Sequence, residues 1–243
     1  MSEPLNIFVG YEPTEDAAYR IAKASLLEHA SAPLRITPLI AEELNAQGLY
    51  TRPFWRDADG QRYDCIDGKP FSTEFSFSRF LVPELMGFKG RALFIDSDVL
   101  FRGDVQELFN LCDGDRPIWC VKHHFEPPPS VKMRMRLRQE PYHRKAWSAV
   151  MVMDCGHSAT KQLTRWAVNH QFGSRLHAMY WAGDNIGSLP EEWHWLEGHS
   201  NTNIDAKLVH YTRGTPDIAA YSSVPYADEW LRYYAGLEAT PAA

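Results

Sequence analysis

The chain has 243 residues, 44% of them hydrophobic, and a formal net charge of −6; it can bury a substantial core, and its acidic balance excludes wholesale nucleic-acid binding, which needs a basic surface. No apolar run approaches the roughly 20 residues of a membrane helix, and the opening Met-Ser-Glu-Pro has no basic segment leading into an apolar one, so neither a transmembrane segment nor export is expected. The four cysteines, Cys65, Cys112, Cys120 and Cys155, form no Cys-x-x-Cys pair, which points to reduced thiols and a cytoplasmic location.

In chain order, residues 5–10 form a short apolar run ending in Gly10. A stripe of Ala18, Ile21, Ala22, Ser25 and Leu26 at helical spacing follows. With a second strand over 34–40, this opening predicts an α/β fold with parallel strands, whose ligands bind beyond the carboxyl ends of the strands. Residues 51–69 turn polar and aromatic around Asp59-Gly60 and Asp67-Gly68, predicting a small β excursion in the form of a hairpin. A helix is expected over 72–86, capped by Ser72 or Thr73 and kinked at Pro83, which cannot donate to the Arg79 carbonyl. Residues 91–95 read as a buried strand running directly into Asp96-Ser97-Asp98, and 119–122 and 147–154 are further strands. Between these last two, residues 123–145 hold three consecutive prolines and an alternating series, Lys132, Arg134, Arg136 and Arg138. A mobile loop or short surface helix is expected there, ordering over a ligand. The series reads as solvated surface by default, with an acidic acceptor as the alternative.

Asp-x-Asp occurs three times, at Asp57, Asp96 and Asp113, so the spacing alone decides nothing. The first and third lie in glycine-bearing turns, where aspartates serve the backbone. The middle one ends an apolar strand, where two carboxylates are costly unless compensated. Residues i and i+2 face the same side, so Asp96 and Asp98 are candidate ligands of one Mg²⁺ or Mn²⁺, hard cations that leave positions open for phosphate oxygens. Capping of the following helix needs neither, because Asp104 fills that role. His210, on a late apolar strand, is the candidate third ligand. A histidine in such a setting otherwise reads as a hydrogen-bonded core residue, but the turn behind it, Arg213-Gly214-Thr215-Pro216, has amides to offer a phosphate. Trp193 and Trp195 are expected to share a strand face, with at least one packed in the core.

The ordered series of these segments resembles the glycogenin-like retaining glycosyltransferases of family eight. The segments carrying it are 7–29, 75–85, 92–109, 147–154, Asp184-Asn185 and 210–216. The resemblance implies a GT-A fold: a single domain over 1–243 with a mixed, mostly parallel sheet flanked by helices. Its nucleotide-binding half would be 1–110, its acceptor and sugar half 111–235, and a tail would follow over 236–243. It further implies hexose transfer from a UDP-sugar, with retention, to a saccharide, glycolipid or protein acceptor. Asp96, Asp98 and His210 would then hold Mn²⁺ or Mg²⁺, and Val9, Gly10 and Tyr11 would form the nucleoside edge. Ser97 and Gly214 would touch the donor, Arg79 would lie beside it, and Arg213 would face the leaving diphosphate. Asp184 would steady the reacting centre or position the acceptor, its other reading being a helix cap. Trp147-Ser148-Ala149 and Asp184-Asn185 depart from the family's Asn-Ser-Gly and Asp-Gln. Two alternatives stand beside this reading: a sugar nucleotidyltransferase, which would show a glycine-rich basic loop after the first strand, and a nucleotide-sugar-binding module without turnover.

Overall fold

A computed structural model of the chain describes residues 3–124, 130–132, 137–139 and 143–238. The chain opens with β1 (Leu5–Tyr11), α1 (Asp16–His29), β2 (Leu34–Ile40) and α2 (Ala41–Ala46). The excursion then appears as β3 (Phe54–Arg56), β4 (Arg62–Asp64) and β5 (Pro70–Phe71), an antiparallel sheet with one strand more than a hairpin. Asp57 does serve the backbone here, its Oδ1 accepting from the Asp59 and Gln61 amides.

The helix expected over 72–86 is not one helix. A 3-10 turn at Ser78–Leu81 passes into the short α3 (Val82–Leu85). Pro83 sits in the first turn of α3 instead of kinking a longer helix, a position where its missing N–H costs nothing. Thr73 and Ser76 hydrogen-bond each other, not a helix end.

There follow β6 (Arg91–Ile95), β7 (Val99–Phe101), α4 (Val105–Asn110) and β8 (Ile118–Cys120). Asp104 caps α4 through the Gln106 amide at 3.0 Å, as expected. Where the 123–145 segment is described it includes an antiparallel pair, β9 (Ser130–Lys132) and β10 (Leu137–Gln139), not a helix. Arg134 and Arg136 lie outside the described residues, as do 125–129, 133, 135 and 140–142 of the segment expected to order over a ligand. The second half continues through β11 (Val150–Asp154), α5 (Arg165–His170), α6 (Gly173–His177) and β12 (Ile186–Ser188). It ends with β13 (Trp195–Leu196), β14 (Leu208–His210) and α7 (Ala227–Glu238), a helix that takes in the start of the expected tail.

The central sheet runs β12-β8-β11-β6-β1-β2. Every neighbouring pair in it is parallel except those made by β11, which is antiparallel to β6 and β8. This is the mixed, mostly parallel sheet expected. Both faces are covered: on β6, Ala92 and Phe94 enter one apolar cluster while Leu93 and Ile95 enter another, and all four are fully buried. Such burial is worth about 1.5–3 kcal/mol for each large side chain, which is why the strand reads as a continuous apolar run. A smaller sheet, β13-β14-β7, adjoins it.

No helix among the described residues is long and apolar enough to cross a membrane. The four cysteines are free, and only Cys65 is exposed. Burial pushes the thiols of Cys112, Cys120 and Cys155 up to about 12. Since the thiolate is the reactive species, a disulfide reagent should modify one thiol in the native protein and four in denaturant. Rapid native modification of more than one would contradict the packing around the other three.

Candidate metal and nucleotide site

The register of two sheets assembles the site. Val9 pairs with Ile95, so the carboxyl ends of β1 and β6 lie side by side, which brings Gly10 and Tyr11 next to Asp96. Past β6 the chain crosses to the second sheet, where β7 pairs antiparallel with β14 and Val99 stands opposite His210. The Tyr211 amide donates to the Asp98 carbonyl at 2.9 Å, tying this junction.

Asp96, Asp98 and His210 therefore converge. One ligand atom from each lies within 4.8 Å of the others, and all three residues are buried. His210 Nε2 is 3.1 Å from Asp98 Oδ1. The two carboxylates are hard oxygen donors of the kind that suit Mn²⁺ or Mg²⁺, and the imidazole adds a softer, borderline nitrogen donor. Ser97, between the two aspartates, buries a hydroxyl with no hydrogen-bond partner among the described residues. A buried orphan of that kind is consistent with a ligand completing the site.

Arg79 is the cation that compensates Asp96. Its Nη1 lies 2.8 Å from Asp96 Oδ1 and donates to the Ser148 carbonyl at 2.8 Å, while Nε donates to the Phe75 and Ser76 carbonyls. The guanidinium also packs over the rings of Phe94 and Phe75. Held on all sides, Arg79 orients Asp96 as firmly as it could meet a donor. Ser148 continues the network through its hydroxyl, 3.0 Å from His177 Nδ1. Burial drives the His177 imidazole well below its ordinary range, with the charge of Arg79 adding to the effect.

Of the residues expected at the nucleoside edge, Val9 is fully buried in the core, and its backbone is paired in the sheet opposite Pro38 and Ile95. A side chain on Gly10 would place a Cβ 2.3 Å from the Phe75 ring. Gly10→Ala is therefore expected to destabilise the protein by about 1–3 kcal/mol, read from a denaturant midpoint. An unchanged midpoint would mean that Phe75 moves freely. Tyr11 donates to Asp16 at 3.2 Å. Just beyond it, Glu12 is buried against Arg62, and desolvation raises its carboxyl above the usual range.

The turn after β14 differs from expectation in two respects. Arg213 is held in a fork by Glu197, Nε to Oε2 at 2.8 Å and Nη2 to Oε1 at 2.5 Å, so its charge is already matched. The Gly214 amide donates to the Tyr211 carbonyl at 2.9 Å and closes the turn instead of facing outward. Trp193 ends up in a 3-10 turn at Glu191–His194 and Trp195 in β13. Both are buried, in separate clusters.

Asp184 stands apart from the three-residue cluster. It precedes β12, which is parallel to β8, whereas Asp96 follows the far end of β6. Its side chain is exposed and pairs with Arg144 Nη2 at 3.3 Å. Asn185 is tied to the Arg116 side chain and the Asp115 carbonyl.

Two residues that sequence reasoning did not place here are His194 and His123. His194 Nε2 is 2.8 Å from His210 Nδ1, and His194 Nδ1 is 3.2 Å from His123 Nε2. Burial, with His210 nearby, drives His123 down to about 4. The only sequence signal was an isolated His194 flanked by two tryptophans.

Residues 61–215 match the family described as glycosyl transferase family 8. The chain belongs to that family. A curated relative of this family 8 chain, Protein CDI of Arabidopsis thaliana, is 41% identical over 235 residues, covering 94% of the chain and 85% of the relative. Among solved structures, galactosyltransferase LgtC in complex with donor and acceptor sugar analogs superimposes with a TM-score of 0.60 at 11% identity, covering 98% of both chains. The apo form of glycosyltransferase GlyE from Streptococcus pneumoniae TIGR4 does so with a TM-score of 0.61 at 14% identity. The family 8 chain spans only 60% of the GlyE chain and 52% of a similar solved chain, the bifunctional glycosyltransferase WbbM. These structures share a GT-A fold with it.

Proposed function

We propose that this chain is a metal-dependent hexosyltransferase that uses a UDP-sugar and acts with retention. The observation that carries this reading is the buried convergence of Asp96, Asp98 and His210 beyond the carboxyl end of a central strand, where α/β sheets bind ligands. Family membership and the solved donor complex of similar fold support it.

In this reading Asp96, Asp98 and His210 hold Mn²⁺ or Mg²⁺. When bound, the metal supplies charge stabilisation to the departing diphosphate. The residues of the chain do the rest. Arg79 fixes Asp96 and offsets its charge. Val9, Gly10 and Tyr11 line the nucleoside edge, and the Ser97 hydroxyl bonds the donor. The fork to Glu197 makes Arg213 a positioning element for the Gly214 turn, and it reaches the diphosphate only if that fork opens. Asp184, exposed beside Arg144, fits an acceptor-side role better than contact with the reacting centre. With the chain divided into a nucleotide half (1–110) and an acceptor half (111–235), His210 comes from the second half to complete the site of the first.

A thermal-shift screen tests the proposal. UDP-sugars with Mn²⁺ should raise the melting temperature above either component alone, because a ligand of the native state stabilises it. Donor hydrolysis should then separate an enzyme from a binding module. If no nucleotide sugar shifts melting in the presence of Mn²⁺, the proposal fails.

A further inference from the structure

We infer that His194 is a positioning residue for the metal site, setting through a three-histidine relay which nitrogen of His210 is free to bind a cation. The inference rests on the metal reading above.

The fold places His194 for this. It closes the 3-10 turn at Glu191–His194, and β13 then runs parallel to β14 with Leu196 opposite His210. The Glu197 amide donates to the His210 carbonyl at 3.0 Å, so the two segments are locked in register. The imidazoles of His194 and His210 are nearly parallel, 13° apart, while His123 meets His194 edge-on at 78°. His194 and His210 are at most 1% exposed.

A neutral imidazole carries one N–H and one lone pair. His210 turns Nε2 toward Asp98 and Nδ1 toward His194. For Nε2 to present its lone pair to a cation, the proton must sit on Nδ1 and be donated to His194 Nε2. His194 must then carry its own proton on Nδ1 and donate it to His123 Nε2. One commitment at the metal ligand thus sets the direction of both hydrogen bonds. In the opposite sense, His194 would donate to His210 Nδ1 and leave a proton on Nε2 facing the site. Outer partners that hold a metal-binding histidine in one tautomer are worth about 10–100-fold in metal affinity. His123 stands third in this relay, at the start of the 123–145 segment, and its carbonyl also accepts from Trp147 Nε1 at 2.9 Å, so its backbone is anchored.

The test compares His194→Leu with His194→Gln by calorimetric titration of Mn²⁺ in the presence of UDP. Leucine removes the acceptor facing His210 Nδ1; the amide oxygen of glutamine reaches about the same place. The leucine variant should lose about 10–100-fold in Mn²⁺ affinity, and the glutamine variant should recover most of it. Equal affinity in wild type and a folded leucine variant would overturn the inference. So would a glutamine variant as weak as the leucine one. Should the leucine variant not fold, nitrogen-15 NMR of histidine-labelled wild type loaded with Mg²⁺ and UDP decides. Both His210 and His194 are expected as Nδ1–H tautomers, and an Nε2–H tautomer at His194 overturns the relay. Wild-type protein that binds no metal at all would remove the metal reading itself, and the positioning role with it, before any variant is compared.

Discussion

Asp98→Asn is expected to lose metal-dependent UDP binding by at least roughly 100-fold, the upper end of what removing only an outer-shell partner costs. The carboxylate lies with Asp96 and His210 in a pocket where the three ligand atoms are within 4.8 Å of one another. An amide of the same shape keeps one weak oxygen donor and removes a full charge. The fold should persist, because the Asp98 contact that pins the two sheets is made by its backbone carbonyl to the Tyr211 amide, which the substitution leaves in place. Calorimetry with UDP, with and without Mn²⁺, and circular dichroism of the same sample separate the two effects. Unchanged metal-dependent affinity in a folded variant would remove Asp98 from the site.

Arg79→Met should be the most destabilising single change near the site. It leaves the Asp96 carboxylate and the carbonyls of Ser148, Phe75 and Ser76 without their cation in a buried setting. Breaking one side of a buried ion pair costs about 3–5 kcal/mol, a drop in melting temperature on the order of 10 °C for a chain of this size. Arg79→Lys should recover part of that, because it restores the charge but not the planar fork that reaches several acceptors. Melting of the two variants without ligand is the measurement. A methionine variant that melts with wild type would show that Asp96 is neutral or solvated, and the account of Arg79 as its compensating charge would fall.

The local segments that were legible share one property: their pattern is dictated by burial. The runs at 5–10 and 91–95 alternate between two apolar clusters, so nearly every residue is apolar and the strand is visible without neighbours. Asp104 was legible because a cap acts over two residues of its own helix. The 72–86 segment was misread because its apolar spacing suits a helix, while Arg79, buried among carbonyls and beside Asp96, holds the chain in a 3-10 turn there. No local pattern reports a partner 17 positions away in sequence. The pairing of the Gly214 amide with Tyr211 and of Arg213 with Glu197 is invisible in the sequence for a similar reason, since it depends on contacts made in the folded chain.

What the sequence by itself determined is the α/β class and the buried strand ending in Asp96-Ser97-Asp98, because both follow from apolar periodicity and the cost of burying charge; His210 was a candidate to join them on the turn behind it and on the family resemblance alone. Only the tertiary structure decided that His210 reaches Asp98 through the pairing of β14 with β7, that Asp184 stands outside the cluster, and that His194 and His123 line up behind His210. Those relations depend on strand register between segments far apart in the chain. Register is settled by which faces bury together across the sheet, and the sequence of either strand alone does not contain it.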